Sequence, residues 1–153
     1  MTTHSIIIDT DPGIDDAAAI FYAAAATDVD VVALTTVFGN VSTSLATENA
    51  LRLLEIAGAE EIPVAAGATR SLTRPYPGAV EHVHGRDGQG NAMLPPPSIT
   101  PSSQRASEVI VEAARTRPGE VTFVALGPLT NLATALIERP DTAKRLKGVI
   151  AMG

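Results

Sequence analysis

Four aspartates fall within the stretch DTDPGIDD, at Asp9, Asp11, Asp15 and Asp16, directly after the apolar run Ile6-Ile7-Ile8. No lysine or arginine precedes Arg52, and residues 1–51 hold seven carboxylates. The cluster therefore has no permanent cation close in sequence. Crowded carboxylates share protons, spread into solvent or bind a cation. The apolar flank disfavours solvent, so the expected partner is a hard divalent metal at the end of a buried strand. Asp9 and Asp11 alternate along a strand end and point to one side if the strand stays regular. Pro12-Gly13 then reverses the chain, and Asp16 can return toward Asp11. Two carboxylates, a main-chain carbonyl and waters make an oxygen shell suited to calcium or magnesium. A water on such a metal has a lowered pKa, and a neighbouring carboxylate can take its proton. Helix capping accounts for one aspartate in a first turn. It does not account for Asp9 and Asp11 on the far side of the turn.

The elements that must position these residues follow from pattern. Ser5–Asp9, Val29–Val37, Pro63–Ala66, Val121–Leu126 and Val149–Met152 read as strands. Asp15–Ala26, Leu45–Ala57, Ser102–Arg117 and Pro128–Arg139 read as helices, with Gly58, Pro118-Gly119 and Pro140 as stops. Strands alternating with helices indicate an α/β, Rossmann-like fold with a mostly parallel sheet and flanking helices. Ligands bind such sheets at the carboxyl ends of the strands. DTDPGIDD, Phe38-Gly39-Asn40 and the LGPLTN stretch Leu126–Asn131 all fall there, so three polar turns are expected to converge. Asn40 is also the residue type common in any turn, and Asn131 is expected only to satisfy a helix start or loop.

Residues 67–101 hold five glycines, six prolines, His82 and His84, and read as a long loop without secondary structure. Loop histidines are usually inert. The stretch Gly85–Gly90 resembles a phosphate cradle only superficially, because it lacks a Gly-Lys-Ser/Thr ending.

Composition narrows the function. The 153 residues suit one domain or part of one. The net charge of -6 argues against a nucleic-acid surface, and it belongs to the first third of the chain. No apolar run is long enough to span a membrane. The absence of cysteine removes disulfides, iron–sulfur clusters and thiolate zinc, and with a start lacking a positive n-region it makes the cytoplasm the expected location.

In order and spacing, DTDPGIDDAAAI, TTVFGN, HGRDGQGN, VALGPLTNLA and the final VIAMG resemble the nucleoside hydrolases of the inosine-uridine type. The resemblance covers essentially the whole chain. It implies hydrolysis of the N-glycosidic bond of ribonucleosides to ribose and free base, with bound calcium as cofactor. It implies Asp11 as the general base toward a calcium-bound water, with Asp11, Asp16 and the backbone oxygen of Leu126 on the metal. Asp15 and Asn40 would hold ribose hydroxyls, His84 would lie on the loop that closes over the base, and Asp9 would stand behind the metal's own ligands. The family also has a second half, so residues 1–153 are expected to be the N-terminal part of a single domain, with poor turnover alone. The partner expected is a small ribonucleoside. A homo-oligomer is expected as well, because Val149–Met152 is an apolar strand with no helix after it.

Two other readings compete. A haloacid-dehalogenase-like phosphatase also places Asp-x-Asp after a first strand, with Asp9 as nucleophile and Asp11 as acid/base. Gly13 stands where that family prefers threonine or valine, and Asp15-Asp16 goes unexplained. The second is a catalytically incompetent remnant that binds calcium or ribose.

Overall fold

The computed structural model describes residues 3–152. Five strands form one sheet: β1 (His4–Thr10), β2 (Val29–Thr36), β3 (Val64–Ala66), β4 (Val121–Ala125) and β5 (Gly148–Ala151). Their order is β3-β2-β1-β4-β5, and every pairing is parallel. The α/β reading holds. The helices are α1 (Ile14–Ala25), α2 (Thr43–Ala57), α3 (Glu81–His84), α4 (Ala106–Thr116), α5 (Thr130–Glu138) and α6 (Thr142–Arg145).

Each face of the sheet has its own core. Successive strand residues point to opposite faces, so Ile7 and Ile8 are both buried but in different clusters. Ile8 and Leu34 pack with Ile20, Leu51 and Leu54 of α1 and α2. Ile7, Val121 and Phe123 pack with Ile110, Leu132 and Leu146 from α4, α5 and beyond α6. Covered faces on both sides explain why these strands are nearly continuous apolar runs. β5 is the exception: Val149 and Ile150, like Met152 after it, are exposed.

Several boundaries differ from the sequence reading for local reasons. α2 begins two residues earlier than expected, because the Ser42 hydroxyl accepts from Leu45 N and caps it. Gly58 ends it at φ 65°, as its residue type led one to expect. α5 starts at Thr130 rather than Pro128, and α4 at Ala106 rather than Ser102.

The connection 67–101 contains only α3, but side chains of other elements hold it. Glu55 on α2 accepts hydrogen bonds from Ser98 Oγ, Ser98 N and Ile99 N, which keep its carboxyl below the usual range. Arg52 Nε donates to Pro95 O at 2.8 Å. Tyr76 meets Phe38 edge-on, with ring centroids 5.8 Å apart.

Candidate active site

Because β2, β1 and β4 are neighbours, the three polar turns meet at their carboxyl ends. Asp9, the next-to-last residue of β1, is 0 % exposed. Its Oδ1 accepts from Thr35 Oγ1 at 2.6 Å and from Asn131 Nδ2 at 2.7 Å. Its Oδ2 is buried with no hydrogen-bond partner. Burial pushes its pKa up to about 7 against the opposing pull of the Asn131 and Thr35 hydrogen bonds.

Asp11 lies just past β1 and is also buried. Its Oδ2 accepts from the main-chain nitrogen of Asn40 at 2.5 Å, while Oδ1 has no partner. Burial pushes its pKa up to about 7; the Asn40 hydrogen bond pulls the other way, and the negative charges of Asp16 and Asp9 add to the rise. The carboxyl group is flanked by Gly39 after β2 and Gly127 after β4. A Cβ at Gly39 would collide with Asp11 Oδ2, and one at Gly127 would stand 2.5 Å from Oδ1. Gly39→Ala is therefore expected to displace the Asp11 carboxyl group while the sheet survives. A shifted Asp11 side-chain resonance in the NMR spectrum beside an unchanged far-ultraviolet circular dichroism spectrum checks this, and an unmoved resonance would show that the close approach is unimportant.

Asp16, in the first turn of α1, faces inward. Its Oδ1 accepts from Thr10 Oγ1 at 2.6 Å, and its Oδ2 accepts from Gly13 N at 3.1 Å and Asn40 Nδ2 at 3.2 Å. Asp15 is on the exposed side of that turn, and its Oδ1 lies 3.8 Å from His84 Nδ1. His84 is buried rather than dangling in a loop, and its Nδ1 accepts from Ile14 N at 3.3 Å. His82 is exposed. Leu126 N donates to Asp9 O at 2.8 Å, which holds the start of the LGPLTN turn against the end of β1. The structure thus gathers Asp9, Asp11, Asp16, Asn40 and the Leu126-Gly127 turn in one place, with Asp15 and His84 at its rim.

The available donors are all oxygens, and two buried carboxylate oxygens lack partners, which suits a hard cation. Among the described residues, no three His, Cys, Asp or Glu side chains converge closely enough to hold a metal unaided. Any shell here must draw on main-chain and water oxygens. Asp16 can still contribute, since a carboxylate offers about four lone-pair positions.

Sequence reasoning missed several supports. Asn131 does more than satisfy a loop. It accepts from Ala68 N at 2.8 Å and donates to Asp9 Oδ1 and to Thr36 O, the latter at 2.9 Å. Thr10, Thr35 and Tyr76 also went unnoticed, the last donating to Gly39 O at 3.3 Å. Two threonines closing β2, which is otherwise apolar but for Asp30, were the available signal, because strand-end hydroxyls beside a carboxylate are natural donors.

The chain matches the profile of the family described as "Inosine-uridine preferring nucleoside hydrolase" over residues 6–153. It is 51 % identical over 149 residues to "Probable uridine nucleosidase 2" of Arabidopsis thaliana, covering 97 % of this chain and 46 % of that protein. It is 41 % identical over 152 residues to the "Inosine-uridine preferring nucleoside hydrolase" of Leishmania major, covering 98 % and 48 %. A solved plant nucleoside hydrolase superposes with a TM-score of 0.95 at 47 % identity, covering 98 % of this chain and 48 % of that one. The chain spans about half the length of these relatives. The profile, the relatives and the shared fold agree, and the chain belongs to the inosine-uridine preferring nucleoside hydrolase family.

Proposed function

We propose that this chain supplies the water-activating and ribose-holding part of a ribonucleoside hydrolase that uses calcium. The observation that carries the reading is the free Oδ1 of Asp11: a buried acceptor with no partner, beside Asp16 and Asn40. A general base needs such an unengaged lone pair within reach of the proton it takes.

In the reaction, a water oxygen bonds to C1′ of the ribose while the C1′–N bond to the base breaks. The electron pair of that bond leaves with the base, which takes up a proton from solvent, and Asp11 Oδ1 accepts a proton from the attacking water and later returns it to solvent. Positive charge builds on the sugar as the bond stretches, and a carboxylate-rich site stabilises it. The same carboxylates disfavour a phosphate, so nucleosides suit the site better than nucleotides. Asp11, Asp16 and the main-chain oxygen of Leu126 would hold the calcium. When bound, that ion lowers the pKa of a coordinated water and helps fix the ribose hydroxyls. Asp15 and Asn40 take the hydroxyls, His84 faces the base from the rim, and Asp9 anchors the strand end behind them. Similarity to proteins named uridine nucleosidases favours uridine as the first substrate to test.

The phosphatase reading requires Asp9 as nucleophile. Asp9 is 0 % exposed with its Oδ1 held by Thr35 and Asn131, and Asp11 rather than Asp9 stands between the Gly39 and Gly127 turns, which disfavours that reading.

Release of uracil from uridine and hypoxanthine from inosine, with calcium or with a chelator, tests the proposal. The assay is run on the chain alone and on a fusion to the second half of the Leishmania relative. Phosphate release from a phosphate ester, without base release from either nucleoside, would refute it. For the metal, Asp16→Asn is expected to weaken calcium about tenfold or more, because affinity follows the charge count of the ligands. Equal affinity by calorimetry would remove Asp16 from the shell.

A further inference from the structure

Asn49 sits within α2 and is 0 % exposed. Asparagine is a weak helix former, and a buried amide must have its donors and acceptor satisfied. Its two donors reach other segments. Nδ2 donates to Pro12 O at 3.3 Å and to Asp87 O at 2.8 Å, while Oδ1 accepts from Arg52 Nη1 at 3.0 Å. Arginine can only donate, so Arg52 fixes which end of the amide faces the two carbonyls.

The loop side mirrors this. Gln89 Nε2 donates to Pro12 O at 3.0 Å and to Gly13 O at 3.3 Å. The Asp87 carboxylate shapes the loop by accepting from Gln89 N and Asn91 N, both at 2.8 Å, and from Met93 N at 2.9 Å. Gly88 has φ +75°, and a Cβ there would lie 2.9 Å from Asn49 Nδ2 and 3.1 Å from Pro12 O. Glycine is what lets the loop come this close. Immediately before the loop, His84 is bound to Ile14 N, on the other side of the same turn.

We propose that Asn49 is a positioning residue that locks residues 85–93 onto the Pro12-Gly13 turn, so that the DTDPGIDD carboxylates on either side of that turn are set before a nucleoside arrives. Its nucleoside ligand rests on the proposed function, whereas the lock is a property of the fold. The turn separates Asp11 from Asp15 and Asp16, so a displaced loop would disturb both sides of the site.

Asn49→Asp tests this, since it keeps the shape but faces two carbonyl oxygens with an anion. Hydrogen exchange read by mass spectrometry is expected to speed up tenfold or more in residues 84–93 and 12–16 together, with α4 and β4 unchanged. Uridine affinity is expected to fall about tenfold, and uridine should then protect residues 85–93 far more than in the wild type, because it must order a loop that was already set. Exchange equal to the wild type, or a rise spread equally over α4 and β4, would overturn the proposal. If Asn49→Asp does not fold, the half-buried Gln89→Ala carries the same comparison, with the same expected and contrary results. A wild-type chain that binds no uridine would count against the proposed function, while exchange still decides the lock.

Discussion

Under the proposed function, Asp11→Ala in the chain fused to a second half is expected to abolish base release from uridine and inosine, by at least about a thousandfold, without weakening the fold. Loss of a general base alone typically costs about 10²–10⁴ in rate, and the same change removes a proposed calcium ligand. The expected effect on stability has the opposite sign. Burial and the negative neighbours Asp16 and Asp9 hold the Asp11 pKa at about 7, so the fold disfavours its ionised form. One oxygen is buried without a partner. Replacing that group with a methyl relieves these costs, so the melting temperature should hold or rise. An active site that is less stable than its inert version is the usual trade between function and stability. Base release within tenfold of the wild type, in whichever of the two proteins shows activity, would remove Asp11 from the chemistry. A drop of many degrees in melting temperature would show that Asp11 is structural instead.

Asn131→Leu is expected to be the most destabilising single change in the site region. Asn131 is 2 % exposed, and its amide serves three groups: Asp9 Oδ1, Thr36 O and Ala68 N. Leucine fits the volume but leaves all three without that partner. An orphaned buried polar group costs about 1–3 kcal/mol, more for a charged one. Thr35 still serves Asp9 Oδ1, so a total of about 3–5 kcal/mol is expected, against a typical whole-domain stability of about 5–15 kcal/mol. For a chain of this size that corresponds to a fall of about 10 °C in melting temperature. Urea unfolding followed by circular dichroism measures it. A loss below about 1 kcal/mol would mean that water or rearrangement replaces the amide, and that Asn131 is not the tie between β1, β2 and the loop.

The two changes act on neighbouring aspartates in opposite ways, a difference that residue type and spacing do not sort. Asp9 and Asp11 look equivalent in DTDP. In the fold Asp9 is sealed behind Thr35 and Asn131, while Asp11 stands between Gly39 and Gly127 with an oxygen to spare.

What the sequence determined by itself is local or periodic. The apolar runs of β1, β2 and β4, the Pro12-Gly13 turn, the stop at Gly58 and the clustering of Asp9, Asp11, Asp15 and Asp16 are all encoded within a few residues. Alternation of strands and helices was enough for a parallel sheet, and with it for the convergence of three turns. The sequence motifs pointed to the family, which the profile match over residues 6–153 then showed. The tertiary structure decided whatever depends on partners far along the chain. Asn131 lies 122 residues from the carboxylate it holds, and His84 lies 70 from the amide it accepts. Residues 67–101 read as structureless because their order is supplied from outside, by Glu55, Arg52 and Asn49 of α2, and a segment held by other elements' side chains carries no periodicity of its own. Whether a buried polar residue is a ligand, a tie or a base depends on which of its atoms are already satisfied, and that is fixed only when the strands are side by side.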